Sequence, residues 1–107
     1  MHHQIKDKVM HIIAQGIIRE YSRQHPEAAN ALWSWYKKTE KAEWKNFADI
    51  RRDFATVSQV GGQHYVFNIK GNDYRLVVVI KFTVGRVYIR FIGTHAEYDR
   101  IKDIEKL

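Results

Sequence analysis

Cysteine is absent from this 107-residue chain, which removes disulfide scaffolds, thiolate zinc sites and a cysteine nucleophile. A reducing compartment suits that composition, and a cytoplasmic location is the expectation. No apolar run approaches the ~20 residues of a membrane span. The start of the chain lacks the apolar core of a signal peptide, so no membrane association is expected. Repeats, low-complexity tracts and a P-loop are missing as well. The histidines do not fall into HxH or HExxH spacing, and acidic residues are few in the strand-forming segments. Neither a metal site nor a cofactor is expected. His2 and His3, in a polar start, read as solvent-exposed.

What is present is positive charge and apolar bulk. Eighteen Lys and Arg against twelve Asp and Glu leave a formal charge of +6, an imbalance that favours polyanions and nucleic acid first among them. A solvated basic surface without a partner is the plainer alternative. At 45% hydrophobic and 13% aromatic content, the chain can bury one core but not two, so 1–107 reads as a single domain. Residues 1–9 read as an extension of it.

"MHIIA" reads as a short strand. From Gly16, Ile17, Ile18 and Tyr21 share a helical face that stops at "QHP", because the residue before Pro26 is pushed out of the helical region. Pro26 suits the first turn of a second helix, in which Ala29, Leu32, Trp33 and Tyr36 follow core-facing spacing. "WKNFADIRRDF" holds a further short helix with Trp44, Phe47, Ile50 and Phe54, and Gly61–Gly62 ends it. "HYVFNIK", "DYRLVVVIKF" and "RVYIRFI" then read as an antiparallel meander turned by "GN" and "TVG". The fold class is α+β, with helices on one face of a mainly antiparallel sheet.

If Gly71 and Asn72 form the tight turn, Asn68 stands opposite Arg75. Tyr65, Phe67, Ile69, Tyr74, Leu76, Val78, Ile80 and Phe82 then share the helix-covered face. Val66, Asn68, Lys70, Arg75, Val77, Val79 and Lys81 share the other, read as exposed and basic. The "TVG" turn holds two residues, or three with a bulge, and brings Gly93 or Thr94 level with Arg75. In "GTHAEYD", Thr94 and Glu97 fit a capping box, and Tyr98 lies three residues after His95. A helical cap and a reactive cluster are both compatible with that pattern. Arg75 inside an apolar strand calls for a partner.

"VFNIKGNDYRLVVVIKF" with "VYIRFIGTHAEYDRI" resembles HigB-type toxins, mRNA interferases of the RelE superfamily of toxin–antitoxin modules, and the likeness spans residues 10–101. The resemblance implies a RelE-like microbial-RNase fold with an N-terminal strand and two to three helices on one sheet face. It implies a metal-free endoribonuclease that cuts mRNA on translating ribosomes. A HigA-type antitoxin carrying a helix-turn-helix would restrain it and alone contact operator DNA. By position Arg75 falls on the arginine that contacts the scissile phosphate, and His95 falls where the superfamily places another catalytic group. Two strand lysines of RelE correspond to Val66 and Asn68 here, which leaves the general base open between Lys70 and His95. The expected catalytic set is Arg75, His95, Tyr98 and Lys70, and the expected RNA contacts are Asn68, Lys81, Arg86 and Arg90. A non-catalytic RNA- or ribosome-binding module and a pure protein-interaction domain are the competing readings.

Overall fold

The computed structural model describes residues 9–107. The expected extension at 1–9 therefore lies, apart from Val9, outside the described residues. The chain runs β1 (His11–Ile13), α1 (Gln15–Gln24), α2 (Pro26–Glu40), α3 (Phe47–Asp53), β2 (Ser58–Val60), β3 (His64–Ile69), β4 (Tyr74–Lys81), β5 (Arg86–Thr94) and α4 (His95–Asp99), and a 3₁₀ turn at Ile104–Lys106 follows. The five strands form one sheet in the order β1-β5-β4-β3-β2. It is mixed: β1 runs parallel to β5, and the other pairs are antiparallel. The architecture is α+β, as the alternation and turn chemistry predict. The three-residue β2 is an addition, too short to carry a period of its own.

Local signals explain the element ends. Pro26 opens α2 where its missing N–H costs nothing. Asn46 caps α3, its Oδ1 accepting from the Asp49 N–H at 3.0 Å. In β3 and β4 the expected register holds, with Asn68 opposite Arg75 and Ile69 opposite Tyr74. Every second residue, Tyr65, Phe67, Ile69, Tyr74, Leu76, Val78 and Ile80, joins the buried cluster beneath the helices. Phe67 is its aromatic hub, 5.1 Å from Phe54 and 5.4 Å from Trp35, both edge-on, and 6.3 Å from the stacked Trp44.

Both long helices sit rotated from their expected faces. In α1, Ile18 and Ser22 are buried while Ile17 is 43% exposed. In α2 the buried stripe is Ala28, Leu32, Trp35 and Thr39. Ala29, Trp33 and Tyr36 are only half-buried. The cause is the aromatic run itself, since large apolar groups on two sides of α2 leave amphipathicity without a unique answer, and Phe67 selects Trp35.

A tie between the layers lies at the start of β4. The Tyr74 hydroxyl donates to the Glu27 carboxylate. That bond first, and burial second, push the Tyr74 phenol up to about 12, and the same bond holds Glu27 below its ordinary carboxylate value. The phenol's folded value exceeds its ordinary 10.0, so its contribution is full below pH 10 and is lost as pH rises towards 12. The carboxylate's folded value lies below its ordinary 4.5, so its contribution is present above that value and disappears in acid. A Tyr74→Phe protein should melt a few degrees below wild type at neutral pH. That gap should narrow as pH rises above 10 and again as pH falls below 4.5, as read from melting curves across pH.

The second face of the sheet departs most from expectation. It is not open: Val77 is 0% exposed and Val66, Val79, His64 and Arg75 are buried with it. The C-terminal segment covers it. Tyr98 lies beside Arg75, and the Leu107 carbonyl sits 3.4 Å from His64 Nε2. Glu105 lies so close to Gly61 that an added Cβ would come within 2.6 Å of its Cγ. Residues 98–107 thus cross diagonally from β4 towards β3 and β2, and Ile101 and Ile104 are half-buried along the way.

Candidate active site

Strand register and helix capping build the site. The β3–β4 turn closes with the Asp73 N–H donating to the Lys70 carbonyl at 3.2 Å. Gly71 adopts φ 64° and, less commonly for a side-chain-bearing residue, Lys70 adopts φ 54°. Such strained conformations concentrate at functional turns. At the far end, β4 and β5 join through four residues, with Lys81 opposite Arg86. The register shifts where Val77 faces Phe91 and Val78 faces Ile89, leaving Arg90 as the extra residue of a bulge. The longer loop and the bulge offset one another, and Gly93 comes level with Arg75.

Gly93 has a steric reason to be glycine. A Cβ there would lie 2.5 Å from Phe91 Cζ and 2.8 Å from Glu97 Oε1. Glu97 is needed for the cap: Thr94 Oγ1 accepts from the Glu97 N–H at 3.1 Å, and Glu97 Oε1 accepts from the Thr94 N–H at 2.8 Å. This capping box starts α4 on the residue after β5, while the His95 N–H donates to the Asp73 carbonyl at 2.9 Å. "GTHAEYD" is therefore a cap that also fixes His95 beside the β3–β4 turn.

Arg75 is 9% exposed and has no carboxylate partner among the described residues. Its Nη1 donates to the Asn72 and Tyr74 carbonyls, both at 3.2 Å, and its Nη2 donates to Asn72 Oδ1 at 2.9 Å. The Tyr98 ring lies 6.0 Å from the guanidinium carbon. Neutral acceptors hold the fork in place and leave its charge uncompensated, with Nε–H and one Nη2 hydrogen unassigned. Burial pushes the Tyr98 phenol up, Asp99 adds to that, and Arg75 pulls it back. Tyr98 is consequently a neutral donor near pH 7.

His95 turns Nδ1 towards Asp99, 3.2 Å from Oδ2, at an angle that leaves this buried nitrogen without a formed hydrogen bond. Its side chain is otherwise half-exposed, on a cleft of about 490 Å³ lined by Asn72, Asp73, Tyr74, Thr94 and Ala96. Lys70 Nζ stands 3.7 Å from Asp73 Oδ2 in an exposed pair, of the kind that contributes little and exchanges freely.

The structure thus brings Arg75 to Tyr98, places Asn68 across from Arg75, and sets Lys70 and His95 around one turn. Lys81 and Arg86 are not part of this end. Six strand residues, about 20 Å, separate Arg75 from Lys81. Arg90 lies between, its guanidinium carbon 5.5 Å from the Tyr88 ring. Two members escape a sequence reading: Asn72, the principal acceptor for Arg75, and Asp99. The i, i+4 spacing of His95 and Asp99 on a capped turn is the signal that marks the second. Among the described residues no three His, Asp or Glu side chains gather as a metal site would require, and no helix is long and apolar enough to cross a membrane.

Comparison with known proteins supplies the family. The model of the HigB toxin, the RelE-like toxic component of a toxin–antitoxin system, matches residues 28–101. The mRNA interferase HigB of Escherichia coli O6:H1 is 30% identical over 94 residues, covering 86% of this chain and 91% of that protein. The mRNA interferase toxin HigB of Escherichia coli K12 is 29% identical over 92 residues, covering 84% and 88%, and the same figures hold for the mRNA interferase HigB of Shigella flexneri.

Proposed function

From the premise that the chain belongs to the HigB family of RelE-like toxins, we propose that it is an mRNA interferase that cleaves mRNA on the ribosome by attack of the 2′-OH on the adjacent phosphodiester. The observation that carries this reading is Arg75, a nearly buried cation with no acidic partner among the described residues, held by neutral acceptors beside a protonated phenol. Such a charge awaits an anion.

In this mechanism the unassigned Arg75 hydrogens take the charge that grows on the phosphate, and Lys70 swings from Asp73 to assist. His95 moves a proton at Nε2, since the Asp99 carboxylate beside Nδ1 favours the tautomer with its hydrogen on Nδ1 and leaves Nε2 as the acceptor. Tyr98, neutral and in contact with Arg75, donates to or orients the reacting group. The partner that restrains the toxin is a HigA-type antitoxin with a helix-turn-helix, and operator DNA is met only through it. The compartment is the cytoplasm, where mRNA is translated.

Transesterification leaves a 2′,3′-cyclic phosphate and a 5′-hydroxyl. Products from a purified translation system should carry those ends. His95→Gln should slow their formation by about 10²-fold, and Asp99→Asn should slow it less. A second reading rests on the engagement of Arg75 in three hydrogen bonds: the arginine would be structural and the domain a non-catalytic RNA- or ribosome-binding module. Intact mRNA on toxin-bound ribosomes would establish that alternative.

A further inference from the structure

Between Tyr74 and Gly93 the chain carries Arg75, Lys81, Arg86 and Arg90 and not one acidic residue. Register decides where these cations point. Lys81 stands opposite Arg86, so both side chains share the face of Val77 and Val79; Tyr88, opposite Val79, follows on the same face. Like charges directly opposite on paired strands cost stability. Lys81 donates to Gln63 Oε1 at 2.7 Å rather than to a carboxylate, and among the described residues neither Arg86 nor Arg90 forms an ion pair.

The C-terminal segment leaves this region uncovered, because it runs from Tyr98 towards β3 and β2. Arg86 and Arg90 are exposed and Tyr88 is half-exposed. Beside them His11 is in register with Arg86, and Ile13 with Tyr88. His11, Ile13, Val84 and Arg86 line a shallow groove of about 550 Å³, in which Val84 is 56% exposed. Phe91, its ring laid over Gly93, continues the aromatic line from Tyr88 towards Tyr98 and Arg75.

We propose that Lys81, Arg86, Tyr88 and Arg90 form an anchor for single-stranded RNA, gripping the mRNA substrate a few nucleotides from the bond attacked at Arg75. Its place in the reaction rests on the function proposed above; its binding of RNA does not. Cations alone would suit any polyanion. The exposed Arg90 guanidinium lies over the half-exposed Tyr88 ring at 5.5 Å, a place that an unpaired base takes by stacking on the phenol when Arg90 turns to a flanking phosphate. From Tyr88 to Gly93 the strand covers about 15 Å, so the anchored bases and the scissile phosphate belong to one stretch of strand.

The test is fluorescence anisotropy of the whole toxin with a labelled single strand of about ten nucleotides and with its duplex. Melting curves confirm that each variant folds. Tyr88→Ala should weaken binding of the single strand about tenfold and leave the duplex unchanged, whereas Tyr88→Phe should bind like wild type. Arg86→Gln and Arg90→Gln should each lower the salt dependence of single-strand binding by about 0.7. Wild-type affinity in Tyr88→Ala, an equal loss on duplex, or a loss confined to antitoxin binding would each overturn the anchor. In cleavage assays Tyr88→Ala should act on KM and Arg75→Ala on kcat. If Arg75→Ala cleaved normally, the catalytic reading would fail while the anisotropy result for the anchor would stand.

Discussion

An Arg75→Ala protein is expected to cleave mRNA 10²- to 10³-fold more slowly than wild type, the range found when a preorganised donor to a developing oxyanion is removed (about 2.7–4 kcal/mol). The expectation follows from the preparation of the guanidinium before any substrate arrives. Asn72 and the Tyr74 carbonyl fix the plane of the fork, Tyr98 covers it, and nothing acidic among the described residues neutralises it. Arg75→Lys should recover little, because an ammonium keeps the charge and loses both the fork and its two-point grip on the turn. Folding should survive either change. The lost hydrogen bonds are offset by removal of a poorly solvated charge, so the melting temperature should move by a few degrees. Single-turnover cleavage on programmed ribosomes, with a melting curve for each variant, separates the chemical effect from a folding one.

Deletion of residues 101–107 is expected to have the largest effect on stability. The segment crosses the face that holds Val66, Val77 and Val79, which are 4%, 0% and 6% exposed with it in place. Returning three valines to water costs about 1.5 kcal/mol each or more, reduced by the compactness of a real unfolded chain. A net loss of about 3–4 kcal/mol is the result, which at roughly 4–8 °C per kcal/mol lowers the melting temperature by about 12–32 °C. The uncovered strip would also promote self-association. Calorimetry and light scattering read both effects. Ile104→Asp, which keeps the chain but puts a charge at a half-buried position of the tail, should reproduce part of them. An unchanged melting temperature in both variants would mean that the segment does not seal this face in solution.

Much of the site was legible because turn chemistry and a two-residue period are strong local signals. "GN" between alternating strands sets Asn68 opposite Arg75 without further information, and "TxxE" after an apolar strand announces the box that positions His95. The level of Gly93 with Arg75 was reachable for a different reason: a four-residue loop and the Arg90 bulge shift the register in opposite senses. Neither is visible alone.

The covered outer face had a signal that alternation obscures. Val66, Val77 and Val79 put apolar residues on both sides of β3 and β4, a pattern of strands buried on both faces. The segment that crosses them is a short irregular tail, with Ile101 and Ile104 half-buried in it, and it has too few residues to show a period. Long-range choices were the least legible. The rotation of α2 towards Trp35 depends on Phe67, more than thirty residues away. The separation of Lys81 and Arg86 from the Arg75 end was within reach, since Lys81 lies six positions from Arg75 on one strand and Arg86 stands opposite Lys81. Asp99 needed only the helix spacing from His95, once α4 was known to be capped.

The most direct test of the central claim is the mapping of mRNA 5′ ends in cells after brief induction of the wild-type and Arg75→Ala proteins. The account predicts new 5′-hydroxyl ends within translated reading frames for the wild type and their loss in the variant at equal protein level. Cuts that persist unchanged in Arg75→Ala, or translation arrest by the wild type with no new ends, would contradict it.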